Sequence, residues 1–132
     1  MKTRANEKIG EEVFENLFNQ NAPNADAFTI QLRAGQGKLV RGTVLALSSN
    51  EDMVILGTAA DEEETITANC VLAEGIDTGA AAGDSVAGLA YRTGHFNGNR
   101  LTVKDGYTIT VGDKEALRKG GILLSDALEN EV

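Results

Sequence analysis

Ala27-Phe28-Thr29-Ile30-Gln31-Leu32-Arg33 decides the fold class, because Phe28, Ile30 and Leu32 alternate with Thr29, Gln31 and Arg33. A period of two sends the apolar side chains to one face of an extended strand and the polar ones to the other. The strand stops at Ala34-Gly35-Gln36-Gly37, where glycine supplies turn geometry. Downstream the same reading predicts short strands over 38–47, 53–57, 66–74, 85–92, 101–104 and 107–111. Turn-forming stretches separate them: Ser48-Ser49-Asn50-Glu51-Asp52, Asp61-Glu62-Glu63-Glu64, Gly75-Ile76-Asp77-Thr78-Gly79 and Asn97-Gly98-Asn99. Asp105-Gly106 suits a two-residue type I′ hairpin between the last two strands. A single helix then follows, with Asp113 as its N-cap and Gly120-Gly121 as its end, before a final strand Ile122-Leu123-Leu124. Six or seven short strands at this spacing predict a mainly β fold, a small barrel or sandwich with one short C-terminal helix.

Upstream of residue 27 the pattern changes. Asn19-Gln20-Asn21-Ala22-Pro23-Asn24-Ala25-Asp26 is polar, Asn-rich and holds the only proline, which marks a boundary between an arm and a body. Before it, Ile9, Val13 and Leu17 recur every four residues with Phe14 and Phe18 as a second row, so residues 6–18 read as a short amphipathic helix. Gly10 weakens it, and about 13 residues of helix are marginal without a surface to pack on. The expected organisation is an arm and linker over residues 1–34 and a β-rich body over 35–132.

Composition narrows the function classes. The chain has 132 residues, enough for one core, with 12 Lys plus Arg against 20 Asp plus Glu and a formal charge of -8. Scattered bases in an acidic chain argue against nucleic acid as a partner. One cysteine, Cys70, and one histidine, His95, rule out a disulfide framework and a Cys/His-rich zinc site. No apolar run of about 18 residues suggests a membrane span. Aromatics are 5% of the chain and tryptophan is absent, a poor basis for a pocket that stacks a planar ligand.

The candidate chemical motifs fail on context. Gly35-Gln36-Gly37-Lys38 lacks the spacing, the following Ser or Thr and the helix of a phosphate loop. Asp61-Glu62-Glu63-Glu64 lacks the alternating ligands and central glycine of a calcium loop and reads as a solvated turn. His95 has no serine or cysteine in a nucleophile-elbow context to pair with, and Cys70 sits in an apolar strand as a small hydrophobe. These readings predict no enzyme, no cofactor and no metal.

Three stretches and their order resemble the bacteriophage lambda-type head decoration (capsid stabilisation) proteins. They are Leu39-Val40-Arg41-Gly42-Thr43-Val44-Leu45-Ala46, Cys70-Val71-Leu72-Ala73-Glu74-Gly75-Ile76-Asp77 and Ala90-Tyr91-Arg92-Thr93-Gly94-His95-Phe96-Asn97-Gly98-Asn99-Arg100-Leu101. Leu117-Arg118-Lys119-Gly120-Gly121-Ile122-Leu123-Leu124 is similar to the family's end. The resemblance implies a β-tulip-like body bound as homotrimers at threefold sites on the outer surface of an expanded capsid. The partner it implies is the major capsid protein, and the role is to hold the shell against packaged DNA. It also implies an N-terminal arm that adds a strand to a capsid-protein loop. Phe28, Ile30, Leu32 and Arg33 are the candidate donating strand, with Phe14 and Phe18 ahead of it and Leu39–Leu47 as the alternative. His95 and Phe96 are candidate trimer contacts. Two other classes compete: a small trimeric nucleotide hydrolase, suggested by the Gly75–Gly79 loop, and a tail or baseplate β-module.

Overall fold

The computed structural model describes residues 17–20 and 24–125. In chain order they form β1 (Phe18–Gln20), β2 (Asp26–Leu32), β3 (Lys38–Leu39), β4 (Val44–Ser48), β5 (Met53–Ile55), β6 (Ile66–Leu72), β7 (Ile76–Asp77) and β8 (Val86–Asn97). A 3-10 turn (Gly98–Arg100), α1 (Val111–Gly120) and β9 (Ile122–Ser125) follow. Strands β8, β2, β5, β4 and β6 are neighbours in that order, and β6 pairs back onto β8 through Val71↔Tyr91 and Leu72↔Ala90. Five strands therefore close into a barrel, which leaves no open edge around the ring.

Strand alternation divides the apolar residues between two cores. Ile30, Leu32, Leu45, Met53, Cys70, Leu72 and Ala90 come from all five barrel strands and fill the interior. Val44, Ala46, Val54, Ala68 and Val71 face outward and are covered by Leu17, Phe96, Leu117 and Ile122. Ala68 and Cys70 are two residues apart yet serve different cores. The β4–β6 register slips between them, from Leu45↔Cys70 to Ala46↔Ala68, and a bulge of one residue reverses the facing.

The mainly β barrel with a C-terminal helix agrees with the sequence reading, but several element assignments change. The predicted strand over 38–47 is two strands. Thr43 N–H bonds Val40 O at 3.1 Å, and Gly42, at φ +94°, occupies the position where such a turn requires positive φ. Strand β8 runs on to Asn97, five residues past the expected end at Arg92. The hairpin over 101–111 does not form. Tyr107 N–H closes a turn on Lys104 O, but only Gly106 has positive φ, whereas a type I′ turn needs it at Asp105 as well. Leu101, Val103, Tyr107 and Ile109 instead lay one side against the outer core. Helix α1 is capped by Thr110, whose hydroxyl accepts from Asp113 N–H at 3.0 Å while the Asp113 carboxylate accepts from Thr110 N–H. Asp113 thus completes a capping box inside the helix and is not the N-cap.

The arm boundary also moves. β2 pairs along its whole length with β8, from Asp26↔Thr93 to Leu32↔Val86, and touches β5 at Leu32↔Met53. Residues 26–34 belong to the body, because the apolar face that suits donation to a partner sheet also suits the chain's own barrel. The predicted helix over 6–18 is corrected at its end: Leu17 is buried in the outer core and Phe18 opens β1. Its residues 6–16 lie outside the described residues.

Candidate functional site

Strand β8 is the axis on which the candidate surfaces are arranged. Its twelve residues extend roughly 35 Å at the rise of a β-strand, farther than the barrel ring that its first half completes. Beyond the ring, β1 pairs antiparallel on one side (Phe18↔Phe96, Gln20↔His95) and β9 parallel on the other (Gly94↔Ile122 to Asn97↔Ser125). These directions fix where the chain enters and leaves. Leu17, whose carbonyl accepts from Asn97 N–H at 2.6 Å, and Ser125, opposite Asn97, flank the same end of β8. At one strand spacing to either side they stand about 10 Å apart.

An aromatic group stiffens this end. The Phe18 ring lies 5.3 Å from Tyr91 in an edge-on arrangement and 4.9 Å from Phe96, with Tyr91 to Phe96 at 5.7 Å. Such pairs add about 0.5–1.5 kcal/mol each beyond burial. Arg41 Nη2 donates to the Tyr91 hydroxyl at 2.7 Å and its guanidinium lies over the ring.

The opposite mouth of the barrel carries a polar lock. Arg33 Nε and Nη2 donate to the two carboxylate oxygens of Asp52, both at 3.0 Å, and Nη2 also donates to Glu64 Oε2 at 2.5 Å. The Ser48 hydroxyl donates to the same Glu64 oxygen, and Asp61 N–H donates to Oε1 at 3.0 Å. Arg33, with Ser48 and Asp61 N–H, holds the Glu64 carboxyl down at about 2, and Asp52 and Glu64 raise the Arg33 guanidinium. Glu64 is therefore buried, not part of a solvated turn; Asp61, Glu62 and Glu63 are exposed as expected.

The candidate residues do not assemble into one surface. Ile30 and Leu32 are buried in the barrel and Phe28 packs at its margin beneath the Arg92 guanidinium, 5.4 Å from the ring centroid. Arg33 is committed to Asp52 and Glu64. Phe28, Ile30 and Leu32 are thus held in the chain's own sheet, paired with β8, where a strand donated to a partner was expected. Phe96 is fully buried in the outer core. His95 is half-buried between β1 and β9, and Phe14 lies outside the described residues. The Gly75–Gly79 loop is a clasp: β7 pairs with β3, and the buried Thr78 hydroxyl donates to Gly37 O at 2.8 Å and accepts from Gln36 N–H. Cys70 is buried, and desolvation pushes its thiol up to about 12. Among the described residues no group of three metal-ligating side chains occurs, and no helix is long and apolar enough to cross a membrane.

Sequence reasoning missed the Arg33–Asp52–Glu64–Ser48 lock and the convergence of Leu17 and Ser125 at Asn97. The lock's members are spread over 31 residues, and only barrel closure brings them together. The convergence follows from the parallel β8–β9 pairing, which no local pattern announces.

The closed five-stranded barrel with two dense apolar cores and one C-terminal helix defines a small mainly β protein. Within that class, the family model for bacteriophage lambda head decoration protein D matches residues 9–123, and the chain belongs to that family. This is a family of phage head proteins, which associates the chain with a phage capsid. No curated protein matches the chain.

Proposed function

We propose that the chain binds as a homotrimer at the threefold sites of an expanded phage capsid and stabilises the shell, on its outer surface, against the pressure of packaged DNA. The observation that carries this reading is the convergence of Leu17 and Ser125 on one end of β8. A barrel with Leu17 and Ser125 at one pole can face that pole toward the shell and extend its arm into it. In this reading the arm is residues 1–16, with Phe14 among its contacts, and the major capsid protein is the partner. An extended segment that orders on binding has low affinity per site, and three linked copies restore it through effective concentration. A charge of -8 disfavours adhesion to nucleic acid, as suits a protein outside the shell. The role proposed is mechanical, in keeping with membership of the head decoration family.

Co-sedimentation with cognate capsids tests it. Saturable binding to expanded shells, absent from unexpanded ones and near three copies per threefold site, is the expected result. Equal binding to both forms, or to neither, overturns the reading.

A further inference from the structure

We propose that the groove beside residues 101–109 seats the chain's own C-terminal segment, residues 126–132, with Leu128 inserted and the segment's carboxylates beside Lys114. This inference rests on the groove and does not depend on the capsid reading.

The groove measures about 390 Å³, and its apolar wall is Leu101, Val103, Tyr107, Ile109 and Leu124. All five pack against the outer core yet are only half-buried, so each keeps apolar surface in water along one continuous trough. Covering that surface is favourable at about 25 cal/mol per Å².

Three observations commit the occupant. Leu124 and Ser125 themselves line the groove, and they immediately precede Asp126-Ala127-Leu128-Glu129-Asn130-Glu131-Val132 in the chain. Three residues of extended chain span about 10 Å, which lets Leu128 reach the wall while β9 stays paired. Charge selects the same segment. It carries three carboxylates and no base, and the only charged side chain lining the groove is Lys114. Beyond Val103 a second groove of about 320 Å³ adds Lys38 and Lys104, with Asp105, to the rim. On a molecule of charge -8 an acidic segment is repelled by most of the surface and attracted to this stretch.

The test uses the full chain with Asn130→Cys and a nitroxide label. Because Cys70 is buried with its thiol pushed up to about 12, labelling goes to position 130. In dilute, uniformly ¹⁵N-labelled protein, the amide signals of Val103, Ile109 and Lys114 are expected to be lost to paramagnetic broadening and to return on reduction. Leu128→Asp should restore most of the signal while the rest of the spectrum is unchanged. No broadening overturns the proposal and leaves the groove to another occupant, such as the segment before Leu17. Broadening seen only in mixtures of spin-labelled and ¹⁵N-labelled molecules overturns it in favour of a second copy.

Discussion

Glu64 shows how one residue ties the barrel mouth to pH. Its side chain is 2% exposed and bonded to Arg33 and Ser48, and its carboxyl stands at about 2 against an ordinary 4.5. A depressed folded-state value stabilises the fold above the unfolded value and ceases to do so as pH falls through the folded one. Stability should therefore decline between about pH 4.5 and 2. In Glu64→Gln the thermal midpoint at neutral pH is expected to drop and its acid dependence over that window to flatten. Melting both proteins across pH 2–7 checks this, and parallel curves would contradict it. Gly57 supplies a second test at this scale. It sits at φ +108°, and a Cβ there would meet the Tyr107 and Lys104 Cβ atoms at 2.7 and 2.8 Å, neither of them the end of a flexible side chain. Backbone strain alone predicts a loss of about 1–3 kcal/mol for Gly57→Ala, readable by urea denaturation. The clash adds to it.

Among the elements, the strands with an apolar inner face were legible and their partners were not. Phe28, Ile30 and Leu32 announce a strand by alternation, but the same alternation serves a strand added to another protein's sheet and one closing the chain's own barrel. Only the pairing with Val86–Thr93 decides between them. Residues 101–109 misled for a related reason. Leu101, Val103, Tyr107 and Ile109 are half-buried while Thr102 and Thr108 are exposed, so a segment lying across a core, bridged only at Thr102 to Thr43, shows the period of two without forming a hairpin. The long-range lock and the shared pole of Leu17 and Ser125 leave no local trace, because closure and parallel pairing are properties of the whole ring. A pair of deletions tests the revised boundary. Removing residues 1–16 should keep a cooperative thermal transition, because Leu17, β1 and the barrel are intact. Removing residues 1–34 takes out β2, the strand that joins β8 to β5, and should abolish that transition. A cooperative melt in the longer deletion would return residues 26–34 to the arm.

For the whole molecule, the polarity of the barrel is the feature with functional weight. Arg33 and its carboxylates close one mouth, while the chain enters and leaves beside Asn97 about twelve strand residues away along β8. Leu17 and Ser125 share one pole, and membership of the head decoration family associates the chain with a phage capsid. The most direct measurement is a cryo-EM reconstruction of expanded capsids saturated with the full chain. The account predicts density at the threefold positions in which the Asn97 end of β8, with residues 17 and 125, faces the shell and the Arg33 mouth faces outward. Density with the Arg33 mouth against the shell, or none at the threefold positions, would contradict it.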